Sequence, residues 1–459
     1  MTKSWQQRAR EGVAWARTER GATWAFRAIL AFSVVVYAFI GRRQWFVRDD
    51  WGWVVSRNSI RQAQGWQEWL FSGQDGHWMT APILIWRGIQ NIFHLGSYWP
   101  YLISCMIWHV FAVLLARVLC RRLGVSAWTT TLVCALLLLF GSGWDNIVFA
   151  IQITYNMSIV AFLAQLLLID HEGPADRRDY LGAGIGVIGV MSSGFGPIFL
   201  FGITAVLILR RRWKALAVAV VPQALAVLWW FTFWGGDAAA DRVPGPRSQV
   251  PAYVAKGVTA TFEALIAITS LGGIVLVGAL IATLWRGRGW RAQSTLIALW
   301  ATVLAMFAAI GLERIGFGVG TAASSRYLHV AAIVLAPAFA VAIDHLLKVS
   351  REALWAGRLM VVVSIVLNAG WLHTNAAQWA KESNQQRRLF ELILGSGYVT
   401  QVDPNITPVE ISPNVSIAWF GYLVSEHAIV PRAPANEAEI HLVRIALGLE
   451  QAPPPAAAP

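Results

Sequence analysis

"LGAGIGVIGVMSSGFGPIFLFGITAVLIL", residues 181 to 209, carries no charge along its length and exceeds the ~20 residues that one crossing of a hydrocarbon core needs. Arg177 and Arg178 stand before it and "RRRWK" (210 to 214) follows it. Cytoplasmic loops of membrane proteins collect Lys and Arg, so both basic groups belong on one side. That holds only if the run goes out and comes back, breaking at Ser192, Ser193, Gly194, Gly196 and Pro197. Broken helices are tolerated at membrane depth where they line a protein cavity. The stretch is therefore read as two short spans of a polytopic membrane protein, with a cavity-lining break between them.

The rest of the chain agrees with that class. It has 459 residues, 56% of them hydrophobic and only 14% charged, with a mean hydropathy of +0.52; a soluble protein of this size is far more polar. The formal charge of +12 sits in short segments between apolar runs, so it reports topology and not a nucleic-acid partner. Many of the 25 tryptophans flank apolar runs, where indole rings favour the headgroup region. Cys105, Cys120 and Cys134 show neither a disulfide framework nor zinc-ligand spacing.

Apolar runs near 24 to 41, 98 to 118, 126 to 141, 148 to 169, 181 to 192, 196 to 209, 215 to 234, 262 to 284, 293 to 311, 326 to 347 and 359 to 373 make about eleven crossings. With the N-terminus inside, every inner loop is basic: Arg121 and Arg122, Arg177 and Arg178, 210 to 214, "RGRGWR" (286 to 291), then Lys348, Arg351 and Arg358. Residues 1 to 23 form a basic cytoplasmic leader before an uncleaved anchor, either an amphipathic helix on the membrane or a disordered tail. The outer side receives loops 42 to 97, 142 to 147, 235 to 261 and 312 to 325. "APILIWRGIQNIFHL" (81 to 95) carries Arg87 and Asn91 near its middle and reads as an interfacial amphipathic helix. Residues 374 to 459 make a small cap on the outer face, ending in the disordered "QAPPPAAAP".

The unusual polar residues gather on the outer side. In "RRQWFVRDDWGWVV" (42 to 55), Asp49 and Asp50 stand among tryptophans that hold the segment at the interface. A partly desolvated carboxylate suits a general base; the alternative is a helix N-cap. Asp145 opens "DNIVFAIQITYN" at a short loop, with Gln152 and Asn156 following on the same helical face. Those amides face either a cavity or a neighbouring helix. In "GLERIGFGVGTAASSRYLHV" (311 to 330), Glu313 and Arg314 open a glycine-rich loop, and Tyr327 follows Arg326. Arg326 and His329 lie one helical turn apart, a pairing suited to phosphate where the positive-inside bias gives no reason for arginine; the alternative is anchoring to outer headgroups. Asp75 and His77 precede the interfacial helix. There is no phosphate-binding loop, zinc motif or nucleophile elbow, so hydrolysis by a familiar nucleophile and ATP-driven transport have no support.

An acidic pair after the first span, a long first outer loop with an amphipathic helix, a short acidic second outer loop and a late loop running into "SRYLH" resemble membrane glycosyltransferases of the GT-C fold. They are similar in style to the protein mannosyltransferases and lipid A aminoarabinose transferases of bacteria. The resemblance covers most of residues 24 to 373. It implies an all-α membrane enzyme of the bacterial inner membrane, its site facing the periplasm, that transfers a sugar with inversion from a polyprenyl-phosphate donor to a glycan or lipid acceptor. Asp49, or else Asp50, would be the base; "RDDWGW" has Asp-Asp where the family more often has Asp-Glu. Arg326, with His329, Arg314 and Tyr327, would hold the donor phosphate. Asp145, His77, Gln152, Asn156 and Glu313 would position substrate. No nucleotide or metal is required, although a divalent cation could sit between Asp49 and Asp145. The rival readings are a lipid or glycan transporter and a polysaccharide polymerase or ligase, the latter drawing on Arg242, Arg247 and Lys256.

Overall fold

The computed structural model describes residues 18–74, 76–235, 242–285, 289–346 and 349–450. Among these the chain is helical without a named strand. In order, the helices are α1 (Glu19–Gly41), α2 (Arg57–Gln64), α3 (Trp66–Phe71), α4 (Thr80–Phe93), α5 (Trp99–Arg122), α6 (Ala127–Leu138), α7 (Asp145–Val148), α8 (Ile153–Ile169) and α9 (Arg177–Val190). There follow α10 (Phe195–Leu209), α11 (Trp213–Phe233), α12 (Val250–Ile266), α13 (Gly272–Leu284), α14 (Trp290–Arg314), α15 (Ser325–His345), α16 (Arg351–Gly395), α17 (Phe420–Ser425) and α18 (Glu437–Ala446). The chain divides into two compact units: unit one holds residues up to Phe39, Gly73–Pro82 and Ser104–Asn375, and unit two holds Ile40–Ser72, Ile83–Ile103 and the residues from Ala376 onward.

Unit one is the membrane body. Seven of the described helices, counting short turns attached to α8 and α14, are long and apolar enough to cross a membrane: α1, α5, α8, α11, α14, α15 and α16. The apolar helices α6, α10 and α13 are shorter, and the structure does not establish the eleven crossings expected. At the centre is α15, apolar all round and buried along most of its length, packed against α6, α12, α13 and α14. Peripheral helices expose apolar side chains instead, as Val35 on α1, Leu228 on α11, Ile274 on α13 and Val366 on α16 do. Such faces are stable where the surrounding solvent is hydrocarbon, and the chain is an integral membrane protein.

The hairpin at 181 to 209 is present. α9 stops at Val190 and α10 starts at Phe195. Ser193 caps the return helix, its Oγ accepting from Phe195 N at 3.1 Å, and it also pairs with Ser158 Oγ at 2.9 Å. Pro197 falls in the first turn of α10, where its missing N–H costs nothing. Gly196 is required by contact: a Cβ there would lie 2.4 Å from Val190 Cα and 2.8 Å from Gly189 O.

The basic ends of unit one also meet, as the charge pattern requires. Arg121 at the end of α5 pairs with Glu19 at the start of α1 (2.6 Å). Asp170, just beyond α8, takes Arg122 (3.6 Å), Arg210 (2.7 Å) and Arg291 (2.9 Å). Arg212 reaches Asp179 at 3.2 Å. Asp344, near the end of α15, accepts from Ser126 Oγ at 2.8 Å and faces Arg358 at 3.8 Å.

Several expectations change. The expected span 262 to 284 is two helices, α12 and α13, because Ala267 adopts a left-handed φ of 58° and Gly272 sits against α12, where a Cβ would meet Glu263 and the Thr259 carbonyl. The loop expected to run to 261 is therefore helical from Val250. The span expected from 148 starts as a helix only at Ile153, after a one-turn piece at Ala150–Gln152. The break expected at 374 does not exist: α16 runs unbroken for 45 residues to Gly395. The leader expected to reach residue 23 gives way to helix at Glu19; its earlier residues, like the Pro/Ala tail, lie outside those described.

Unit two has an aromatic core. Trp45, Trp51 and Trp53 are buried there and not spread at an interface: Trp45 packs edge-on to Trp51 at 5.3 Å, and Trp53 to Trp86 at 5.0 Å. α4, the expected amphipathic helix, supplies Trp86, and the C-terminal residues supply Phe390 and Phe420. Those residues belong to unit two and do not form a separate cap.

Two outcomes follow. Gly196→Ala lowers the thermal midpoint of the detergent-solubilised protein, by the ~1–3 kcal/mol of an overpacked site, and Gly184→Ala, where a Cβ meets nothing, does not. Burial pushes the Asp170 carboxyl up, but hydrogen bonds and charge from Arg210 and Arg291 outweigh it and hold it below the usual range. A depressed carboxylate stabilises the fold above its unfolded pKa and loses that contribution as pH falls through the folded value. The stability gap between wild type and Asp170→Asn is thus full at neutral pH and closes below about pH 4, as acid titration of the thermal midpoint will show.

Candidate active site

Unit one contains a cavity of about 260 Å³. It is built at the ends of α9, α10, α11, α14 and α15 that lie away from the basic loops, and Val190, Ser193, Gly194 and Phe195 of the hairpin break line it. Gly194 is there because the His77 ring occupies the place of its Cβ, 2.4 Å from Nδ1. His77 is fixed through its backbone, which exchanges hydrogen bonds with Gln74 at 2.9 and 3.0 Å. Beside it Trp78 stacks on Trp230, rings 5.8 Å apart and 8° from parallel.

The charged residues of the cavity come from "LERIG". Glu313 pairs loosely with Arg242 at 3.9 Å, and its carbonyl accepts from Val243 N at 2.9 Å, which ties the start of one loop to the end of α14. Arg314 also lines the cavity, half-buried, and makes no hydrogen bond or ion pair with the described residues. Two phenols, Tyr327 and Tyr155, complete the wall. The charges of Arg314 and Arg326 both act on the Tyr155 hydroxyl.

Arg326 itself turns to Asp145, with Nε 3.9 Å from Oδ2. The loop carrying Asp145 is docked on the start of α15: Asp145 N donates to Ser325 Oγ at 3.2 Å and Asn146 Nδ2 to Arg326 O at 3.1 Å. His329 does not line the cavity. It is fully buried, one ring nitrogen 3.1 Å from Asn146 Nδ2 and the other 3.0 Å from His109, so one helical turn separates it from Arg326 without bringing the two to one place. Asn156 donates to Asn146 O at 2.8 Å and to Cys105 O at 3.3 Å, joining helices as the plainer of its two readings holds. Gln152 is buried in the turn before α8. Asp145, Gln152 and Asn156 do not share one helical face, because the chain between them is broken into three pieces.

Asp49 and Asp50 lie in unit two. Asp50 is fully buried, and its Oδ2 accepts from Val47 N (3.2 Å) and from Tyr98 OH (2.9 Å). It holds the turn that Arg48 enters at a left-handed φ of 54°. Arg48 is in turn fixed by Ser412 Oγ, which accepts from its N–H at 3.0 Å, and by Glu382 at 3.3 Å. Asp49 is half-exposed, and its carboxylate has no hydrogen-bond or ion-pair partner among the described residues. The two adjacent aspartates are thus separated in role: one fastens the turn, the other is presented by it. Asp75 lies outside the described residues.

Reasoning from sequence missed Tyr155, Arg242, Trp78, Trp230 and His109. Tyr155 sits inside the stretch that supplies Asn156, and Arg242 inside a loop already marked as basic; no signal along the chain pointed to the tryptophan pair or to His109. Among the described residues, three groups lie close enough to hold a metal ion only at His171, Asp176 and Asp179, at the basic end. Arg212 donates there to both His171 Nε2 (3.1 Å) and Asp179 Oδ2 (3.2 Å), which makes the cluster an ion pair.

Over 88% of each chain, the structure matches the crystal structure of ArnT from Cupriavidus metallidurans bound to undecaprenyl phosphate, at a TM-score of 0.54 and 13% identity. Over 90% of each chain it matches the same protein in its apo state, at 0.55 and 12%. The chain has the GT-C fold. No protein-family model and no curated protein matches the sequence. At this identity the GT-C likeness speaks for the fold alone, and the chemistry rests on the residues above.

The division of labour between the aspartates is measurable as stability. Asp50→Asn and Tyr98→Phe each lower the stability of the GT-C chain by about 1–3 kcal/mol, and the double variant costs less than their sum. Asp49→Asn leaves the thermal midpoint within error of wild type.

Proposed function

We propose that the protein is an inverting glycosyltransferase that moves a sugar from a polyprenyl-phosphate donor to a glycan or lipid acceptor, at the outer face of a bacterial inner membrane. One observation carries the reading: Arg314 brings into an aromatic-lined cavity, at the membrane end opposite the basic loops, a guanidinium that has no counter-ion among the described residues. An arginine in that setting calls for an anion, and a phosphate fits its planar fork of donors. The ArnT structure of the same fold was solved with undecaprenyl phosphate, a ligand of that class. A cavity of about 260 Å³ is smaller than the ~300–1,000 Å³ of a site enclosing a whole drug-sized ligand, so it accommodates a phosphosugar head while the prenyl chain stays in lipid.

In this reading Asp49 deprotonates the acceptor hydroxyl as it attacks the anomeric carbon. The C–O bond to phosphate breaks on the opposite side, inverting the centre, and the electron pair leaves with the prenyl phosphate. Arg314, aided by Arg326, neutralises the charge that builds on that phosphate, the largest electrostatic demand of the transition state. Tyr327 and Tyr155 hydrogen-bond its oxygens. His77 and Glu313 position the sugar, while Asp145 orients Arg326. His329, Gln152 and Asn156 support the loop that carries Asp145. The stacked Trp78 and Trp230 give the sugar ring an apolar face. No nucleotide or metal is required.

The test is transfer of label from a panel of polyprenyl-phosphate sugars by the purified protein. Arg314→Ala reduces turnover by about 10²–10³-fold, and Arg314→Lys recovers part of it. Asp49→Asn abolishes turnover with the fold intact, and EDTA has no effect. Full activity in both Arg314→Ala and Asp49→Asn overturns the assignment. Movement of labelled lipid across vesicles without a new glycosidic bond makes the protein a transporter.

A further inference from the structure

A second charged feature of unit one lies at the other end of the membrane body. A lateral groove of about 680 Å³ runs between α1 and α5 near the basic loops. Its head is formed by Arg27, Arg117, Arg121 and Arg122, and its walls by apolar side chains that include Leu30 and Val118. Arg27 lies eight residues into α1, about 12 Å along the helix, and Arg117 lies five residues before the end of α5, about 8 Å from it. Both are thus placed beyond the first turn of spanning helices, where an unpaired cation is expensive.

The described residues do not neutralise them. Arg27 stacks over the Trp24 ring at 4.9 Å, while Arg117 donates to Thr131 Oγ1 at 3.1 Å and lies over the Phe26 ring at 4.2 Å; neither meets a carboxylate among the described residues. Arg121 has Glu19, whose side chain is 77% exposed. Arg121 also donates to Val125 O and Arg122 to Leu167 O, each at 2.6 Å, which leaves their charge uncancelled; the one carboxylate near Arg122 among the described residues is Asp170, at 3.6 Å, which Arg210 and Arg291 hold more closely at 2.7 and 2.9 Å. Among the described residues, four guanidiniums therefore face one exposed carboxylate and part of another. The groove is open sideways on the face that meets lipid, as the exposed Val118 and Val35 show.

We propose that this groove is a binding site for an anionic phospholipid of the leaflet at the basic end, its phosphate held by Arg27, Arg121 and Arg122 and one acyl chain lying against Leu30 and Val118. Charge complementarity selects the headgroup, and the apolar walls select a lipid over free phosphate. The bound lipid supplies the counter-ion that the described residues do not and joins α1 to α5 at this end. The site is independent of the sugar-transfer reading and stands at different helix ends from the cavity that carries it.

The test uses the full chain in detergent. Phosphatidylglycerol raises the thermal midpoint of wild type by at least about 3 °C, whereas phosphatidylcholine and inorganic phosphate do not. Arg27→Gln combined with Arg122→Gln loses that rise. In nanodiscs, phosphatidylglycerol with a photoreactive acyl chain labels wild-type peptides of α1 and α5 above those of the lipid-facing α11 and α13, a measurement that needs no variant. Equal stabilisation by phosphatidylcholine or by inorganic phosphate overturns the proposal. So does a full rise in the double variant, or labelling spread evenly over the lipid-facing helices.

Discussion

A helix that breaks inside a bilayer exposes backbone groups that hydrocarbon cannot satisfy. The architecture of unit one follows from how this chain meets that constraint between Val190 and Phe195. Ser193 Oγ accepts from the first N–H of the return helix and meets Ser158 on the neighbouring helix. The carbonyl of Met191 accepts from Ala81 N at 3.1 Å, which fixes the segment that carries His77 and Trp78. Satisfying the break thus builds one wall of the cavity: the residues that repair the backbone are the ones that position the site.

The two ends of the membrane body treat arginine in opposite ways. At the basic end most guanidiniums have a carboxylate, and Asp170 alone serves three. At the far end Arg326 has Asp145 and Arg242 has Glu313, while Arg314 is left with aromatic walls and Tyr155. Desolvating a charge is costly unless something else completes it, and a site that binds an anion must leave such a charge uncompensated. The same logic applies to the α1–α5 groove, where Arg27 and Arg117 meet no carboxylate among the described residues.

In unit two the adjacent pair Asp49-Asp50 shows how a turn allots functions. Asp50 is consumed in holding Val47 and Tyr98. Arg48, in its left-handed conformation, turns the chain so that its neighbour remains half-exposed. The surrounding tryptophans, which looked like interfacial anchors, form the packed core that makes the turn rigid. Their burial could not be read from composition, because an indole beside an apolar run suits a headgroup and a core equally well.

By itself the sequence determined the membrane class, the common side of the basic loops, the hairpin at 181 to 209 and the amphipathic helix α4. It also marked His77, Glu313, Arg314 and Tyr327, which share one cavity. These readings succeed because hydropathy, charge placement and helix breaking are local: each depends on a residue and its near neighbours. The tertiary structure decided which aspartate is occupied and which is presented. It also decided that His329 packs on His109 while Arg326 turns to Asp145, that Asn156 joins helices, and that Arg314 meets no carboxylate among the described residues. Those outcomes depend on groups far away in the chain, such as Tyr98 for Asp50 and Asp145 for Arg326. Whether a charge is paired is a property of the folded neighbourhood, which no local pattern encodes.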